Sequence, residues 1–194
     1  MEKVLDLLRD SGAMLDGHFL LSSGLHSDRY FQCAKLLKHP KMAEEALADI
    51  AQAIRQDVRA NRLVIDAVVG PAMGSIIVAY ELGRQLGLPA FFTERDDAGN
   101  MALRRGFDVW EGQKILLVED NITTGKSYGE CAAVMEGLGA EVTALACIVD
   151  RRQGGEIPWM FYPACRMEAA SWKADECELC RKGIPLVKPG SRKM

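Results

Sequence analysis

The stretch that most restricts what this chain can fold into is ILLVEDNITTGKS, residues 115–127: apolar residues, then two carboxylates, then a run of small and hydroxylated residues. The apolar part fits a strand covered on both faces, the usual setting of a parallel sheet with helices above and below. Thr123, Thr124, Gly125 and Ser127 can turn backbone N–H groups and hydroxyls toward one anion, and a helix opening at Ser127 adds its positive end. Glu119 and Asp120 then lie beside that anion as acceptors suited to sugar hydroxyls. The combination reads as a seat for a ribose 5-phosphate. Gly125-Lys126-Ser127 also ends like a nucleotide-binding P-loop, but that motif requires glycine five residues before Gly125, and Asp120 stands there.

The surrounding pattern agrees with such a sheet. Val4, Leu5, Leu7 and Leu8 fit a short amphipathic helix stopped by Gly12, and Met42, Ala46, Leu47, Ile50, Ile54 and Val58 recur at helical spacing from Pro40 to about Arg59. After these come an expected strand at 64–69, helix at 75–86, strands at 90–93 and 114–118, helix at 127–138 and strand at 142–149. Strands alternating with helices imply right-handed crossovers and a parallel sheet. Ligands bind beyond the carboxyl ends of such strands. Those ends deliver the glycine-rich turn Gly70-Pro71-Ala72-Met73-Gly74-Ser75, then Thr93-Glu94-Arg95, then Glu119-Asp120, then Asp150-Arg151. Between Phe92 and Phe107 the chain is polar and aperiodic, as expected of a lid or an insert.

Charge and cysteine usage narrow the partners. A net charge of −3 over 194 residues gives no general nucleic-acid or membrane footprint, so an anion site must be built locally. The opening MEKVLDLLR is too acidic and interrupted for a signal peptide, and no apolar run approaches the ~18 residues of a membrane span. A cytoplasmic protein with reduced thiols is expected. Cys177-x-x-Cys180 has metal-knuckle spacing, but a structural zinc needs four ligands; no second pair and no neighbouring histidine supplies them, and Cys165 makes a third at most. The expectation is therefore a C-terminal turn with half-buried thiols.

The 115–127 stretch resembles the phosphoribosyl-pyrophosphate (PRPP) signature of the type I phosphoribosyltransferases: an apolar strand, two acids, two apolar residues, then Thr-Thr-Gly-Gly/Ala-Ser/Thr. Asn121 stands where an apolar residue is usual and Lys126 where a small one is, so Lys126 either reaches the phosphate or points into solvent. Gly70 to Ser75 looks like the family's pyrophosphate loop, without the lysine that many relatives carry there. The 93–107 segment corresponds to the mobile catalytic loop, with Arg95, Arg104 and Arg105 in place of the lysines and histidine of some relatives. His18-Phe19-Leu20-Leu21-Ser22-Ser23-Gly24-Leu25-His26-Ser27-Asp28-Arg29-Tyr30-Phe31 is similar to the hood of orotate phosphoribosyltransferases, with Ser22 where some relatives have lysine. The likeness to that family runs from Phe19 to Arg192.

The resemblance implies a fold, an activity and a set of residues. The fold is α/β: a type I phosphoribosyltransferase-like parallel sheet with helices on both faces and a small hood, one domain over 1–194 with its core at about 40–152 and the hood from about 1–38 and 153–194. The activity is transfer of a phosphoribosyl group from PRPP to orotate, with Mg²⁺ held mainly by PRPP and water and no protein side chain certain as its ligand. Glu119, Asp120, Arg104 and Arg105 are the implied catalytic groups. PRPP contacts fall on Glu119, Asp120, Asn121, Ile122, Thr123, Thr124, Gly125, Lys126, Ser127, Arg95, Ala72, Met73 and Gly74. Orotate contacts fall on Thr123, Arg151, Tyr30 and Phe31, because a forked guanidinium suits a carboxylate-bearing base. His18 and His26 are not expected as acid–base groups, since the leaving group is pyrophosphate. A homodimer is implied, with loop 93–107 acting across the interface. Two alternatives remain: a PRPP-sensing regulator on the same fold, or a phosphoribosyltransferase for another base.

Overall fold

Parallel strands β3 (Ala67–Pro71), β4 (Ala90–Arg95), β6 (Lys114–Ile122), β7 (Glu141–Asp150) and β8 (Met160–Arg166), with antiparallel β5 (Met101–Leu103) at one edge, form a sheet in the order β5-β4-β3-β6-β7-β8. The computed structural model describes residues 2–21, 24–152, 154–167 and 170–189. Side chains along a strand alternate between faces, and the core divides accordingly. Leu116 and Val118 bury against α3 (Pro40–Arg59) and α4 (Gly74–Leu86), while Ile115 and Leu117 bury against α5 (Lys126–Gly137). That two-sided burial is why the β6 run is apolar at every position from Ile115 to Val118.

A second sheet of three strands, β1 (Met14–Leu20), β2 (His26–Phe31) and β9 (Ser171–Trp172), stands at the end of the core as the hood. Helices α1 (Glu2–Asp10) and α2 (Ala34–Leu37) bury Val4, Leu8, Leu36 and Leu37 in the core cluster that also holds α3. The C-terminal segment carries α6 (Glu178–Arg181) and then runs beside β1, where Val187 N–H donates to the His18 carbonyl at 2.8 Å and Leu20 N–H to the Val187 carbonyl at 2.9 Å. Among the described residues no helix is long and apolar enough to cross a membrane.

Three expectations need correction. The core sheet takes its sixth strand, β8, from a stretch assigned to the hood; β8 pairs in parallel with β7 from Ala144–Met160 to Asp150–Arg166. The 93–107 segment is not featureless, because β4 and β5 pair in an antiparallel hairpin from Thr93–Leu103 to Arg95–Met101. Its turn is fixed by Asp96, whose carboxylate accepts the N–H groups of Ala98 and Asn100 at 2.9 and 2.8 Å, the local side-chain capping that lets Asp nucleate a turn. Third, β6 runs on through both acids to Ile122, because Ile122 is itself buried and pairs with Asp150 of β7.

Candidate active site

The carboxyl ends of β3, β6 and β7 meet where the sequence placed its polar features. At the end of β6 Glu119 is buried and accepts a 2.6 Å hydrogen bond from the Ser75 hydroxyl in the first turn of α4. Burial pushes its carboxyl up to about 8; the Ser75 bond opposes that shift and the neighbouring Asp120 charge adds to it. Asp120 is raised too, chiefly by burial, with backbone N–H groups opposing. Desolvation disfavours the charged form of each acid, and no basic side chain is among the groups that shift them. Such a pair has an unmet demand for positive charge.

Close packing ties this pair to the turn after β3. A Cβ at Gly74 would stand 2.6 Å from the Asp120 Oδ2, and one at Gly70 would stand 2.8 Å from the Ser75 Cβ. Both positions therefore require glycine for the α4 terminus to approach β6. Ala72 N–H donates to the Thr93 carbonyl at 2.7 Å, and Met73 is exposed at the tip of the turn.

The loop after β6 opens helix α5 at Gly125, which has φ +79°; a Cβ there would also lie 2.7 Å from the Tyr128 hydroxyl oxygen. Gly125 has no side chain to cap this terminus; the Lys126 N–H donates to the Thr124 hydroxyl at 3.4 Å, and the N–H groups that follow in the first turn have no helical partner. Thr123, Thr124 and Ser127 are exposed around it. Lys126 points along the helix surface to Glu130 at 3.8 Å rather than into the loop. Of the two destinations open to Lys126, the structure shows the surface one.

Arg151 is held in place by its backbone, whose N–H donates to the Ile122 carbonyl at 2.9 Å. Its guanidinium lies 4.9 Å from the centre of the Phe31 ring. The Nε is buried with no hydrogen-bond partner, as are Oδ1 of Asp28 and Oδ1 of Asn121. Burial lowers the Arg151 value, while Cys33 and Asp28 raise it. The adjacent Asp150 is not its partner: that carboxylate pairs with Arg152 at 2.9 and 3.1 Å and with Arg166 at 3.4 Å. Leaving a buried donor unpaired costs about 1–3 kcal/mol, so this site is built for an acceptor that the chain does not itself provide. The structure thus brings Phe31 to Arg151. Tyr30 is engaged elsewhere, donating to Gln32 at 2.8 Å and lying 5.8 Å from the Phe19 ring.

The three loop arginines are paired with acids. Arg105 reaches Glu94 at 2.8 Å and Arg104 the same residue at 3.9 Å, while Arg95 contacts the Gly99 carbonyl at 2.7 Å and the Glu130 carboxylate. All three are exposed. Exposed pairs of this kind are worth about 0–1 kcal/mol, too little to hold an arginine against a polyanion.

Sequence reasoning missed Asp28 and Ser75 as site groups. Asp28 lies in a hood strand whose pairing only the fold reveals. Ser75 was visible as a loop residue, but not as the donor to Glu119. Ser22 and Ser23 lie outside the described residues, as do Gly190, Ser191 and Arg192. The Cys177-x-x-Cys180 turn is not the isolated pair expected from its sequence neighbours: His18 and His26 converge on it. Cys165 is elsewhere, bonded to the Ile148 carbonyl at 3.3 Å.

Residues 33–174 match the phosphoribosyl transferase domain family. An orotate phosphoribosyltransferase of Caldicellulosiruptor bescii is 47% identical over 192 residues, covering 97% of this chain and 96% of that one. Among solved structures, the orotate phosphoribosyltransferase of Aeropyrum pernix aligns at a TM-score of 0.63 and 25% identity, covering 95% of this chain and 91% of that one. Leishmania donovani UMP synthase shares the fold at a TM-score of 0.67 and 19% identity; 85% of this chain matches 36% of that longer one.

Proposed function

This chain belongs to the phosphoribosyltransferase family as an orotate phosphoribosyltransferase of pyrimidine biosynthesis, and from that premise we propose how its residues divide the transfer of a phosphoribosyl group from PRPP to orotate. The reaction breaks the bond from ribose C1 to the pyrophosphate oxygen and joins C1 to a ring nitrogen of orotate. Positive charge builds on the ribose as the leaving group departs, so the protein acts by positioning and electrostatics.

Glu119 and Asp120 receive the ribose hydroxyls and face that developing charge. Burial without a cation beside them raises both values in the free protein and disfavours ionisation; an arriving positive centre relieves that penalty and favours the carboxylates. The N–H groups of the loop and first turn from Gly125 to Ser127, with the hydroxyls of Thr123 and Thr124, hold the 5′-phosphate, the Lys126 N–H giving up its long 3.4 Å bond to the Thr124 hydroxyl to do so. The turn 70–75 offers its backbone to the pyrophosphate. Arg95, Arg104 and Arg105 exchange their weak surface pairs for that same anion. The hard oxygen donors of Glu119 and Asp120 suit a hydrated magnesium ion, which would neutralise charge on PRPP when bound.

The observation that carries the base assignment is Arg151. Its buried, unpartnered Nε over the Phe31 ring fits the forked pairing of a guanidinium with the orotate carboxylate, and Asp28, whose charge acts on Arg151, offers an acceptor for a ring N–H group. Incubation with PRPP, Mg²⁺ and a panel of bases tests this: orotate alone should release pyrophosphate at a substantial rate. Turnover with a purine, or with no base, would refute the assignment.

A homodimer is part of the same proposal. Met73, Ile77 and Tyr80 are 81%, 43% and 68% exposed and lie at i, i+4 and i+7, along one face of α4 beginning at the pyrophosphate turn. A second copy covering that stripe would bring its hairpin to the site. Tyr80→Asp should shift the sedimentation coefficient to that of a monomer and lower activity together; a fully active monomer would remove the dimer from the account.

A further inference from the structure

Four soft donor groups meet in the hood, away from any role in phosphoribosyl transfer assigned above. His18 lies on β1, His26 at the start of β2, and Cys177 and Cys180 at the two ends of the first turn of α6. Their ligand atoms lie within 4.8 Å of one another. His18 Nε2 is 2.9 Å from His26 Nδ1, 3.4 Å from Cys177 Sγ and 3.8 Å from Cys180 Sγ, and Cys180 Sγ is 3.3 Å from His26 Nδ1. His18, His26 and Cys177 are buried; Cys180 is exposed.

We infer that this chain binds one zinc ion through His18, His26, Cys177 and Cys180, clamping the hood hairpin to the C-terminal segment. Zinc takes four ligands tetrahedrally, with bonds of about 2.0–2.1 Å to nitrogen and about 2.3 Å to sulfur. The edges of such a tetrahedron are about 3.3 Å between nitrogens, about 3.5 Å from nitrogen to sulfur and about 3.8 Å between sulfurs, which follows from those bond lengths. The four distances above lie within a few tenths of an ångström of these edges. Two thiolates with two imidazoles in a closed set select zinc over harder cations.

The outer partner of the site is in place as well. His18 Nδ1 is 2.8 Å from the Ile184 carbonyl oxygen, which can only accept, so Nδ1 carries the proton and Nε2 offers its lone pair inward. A histidine ligand is commonly oriented in this way, through its second nitrogen. The chain on either side is fixed by the bonds of Val187 to β1, so the ligands are not brought together by the two cysteines alone. The exposed Cys180 gives the ion a way in. Because His26 opens the strand that ends at Phe31, the ion fixes the strand on which the base pocket rests.

The test uses the full chain purified without chelator or affinity metal. Elemental analysis should find about one zinc per chain, and exchange for cobalt should produce thiolate-to-cobalt charge-transfer bands with the intense visible absorption of a tetrahedral ion. Cys177→Ser and Cys180→Ser should each abolish those bands and lower the zinc content at least several-fold, whereas Cys165→Ala keeps both. Chelation should lower the melting temperature of the wild-type chain and leave that of Cys180→Ser unmoved. A wild-type chain that holds no zinc after zinc addition and gel filtration overturns the inference, as does a Cys177–Cys180 disulfide in freshly purified protein. These readouts do not depend on which base the enzyme uses, so a failure here is distinct from a failure of the proposed reaction.

Discussion

The carboxyl edge of the core sheet and the hood solve the same problem, converging polar groups on one point, by opposite routes. At the core edge most contributions come from short runs of sequence, 70–75, 119–127 and 150–151, with only Asp28 and Phe31 added from the hood, because parallel strands all end on one side and crossover connections carry the chain back each time. In the hood the converging groups are far apart in sequence: His18 meets Cys177 across 159 positions and Ile184 across 166. The first kind of site can be read as a motif. The second exists only after both ends of the chain have paired with one another. The two also differ in what they leave unsatisfied. The core edge keeps Arg151 Nε and Asn121 Oδ1 buried without partners, whereas His18 and His26 are bonded to each other and to the neighbouring backbone and thiols.

If the core edge is the catalytic half of this comparison, the largest effect belongs to Asp120. Asp120→Asn keeps the shape of the side chain and removes its charge, so turnover should fall by roughly 100-fold or more while PRPP affinity changes only a few-fold, because that charge acts mainly as positive charge develops on the ribose. Equal losses in kcat and in PRPP binding would reduce Asp120 to a simple contact.

The hairpin is the next place to sharpen the contrast. If these arginines reach the pyrophosphate only when the hairpin closes over it, Arg104→Ala together with Arg105→Ala should lower kcat by about 10-fold and leave PRPP affinity nearly unchanged. PRPP, Mg²⁺ and an unreactive orotate analogue should slow proteolysis between Arg95 and Arg105. Full activity in the double variant would make the hairpin a surface insert.

The smallest effect is in stability. The folded value of Glu119 is raised from the ordinary 4.5 to about 8, so its protonated form favours the folded state. That contribution is fully present below about pH 4.5 and is lost as the pH rises toward 8, because the unfolded chain ionises first. Glu119→Gln keeps an acceptor for the Ser75 hydroxyl and cannot ionise. Its melting temperature should therefore exceed that of the wild type by a few degrees near pH 8 and match it near pH 4.5. Parallel curves for the two proteins would show that Glu119 is not strained by burial.

Much of the core was legible because its signals are local. The α3 helix shows its apolar positions at helical spacing and begins at Pro40, and β6 reads from Ile115 to Val118 as a strand buried on both faces. Its extension to Ile122 was hidden because Glu119, Asp120 and Asn121 are polar, and only pairing with β7 keeps them in the strand. The β5 strand was hidden for a related reason: Met101, Ala102 and Leu103 are three residues, and it is the Asp96 turn that folds them back on β4. β8, the next strand of the core sheet, contains Pro163 and ends in Arg166, an edge-strand composition with little periodicity. Arg151 was legible from its place at a strand end. Its contact with Phe31 was implied only by family resemblance, and the convergence of His18 and His26 on the cysteines carried no sequence signal at all.

On the proposed reading Arg151 selects the base by its carboxylate. The direct measurement is pyrophosphate release with orotate and with uracil, which lacks that group, for the wild type and for Arg151→Ala. A strong preference for orotate is expected in the wild type. In the variant the orotate KM should rise roughly 10- to 100-fold, the size of a lost charge-assisted hydrogen bond, and the preference should collapse with the melting temperature nearly unchanged. The same preference in both proteins, or an unaltered orotate KM, would contradict it.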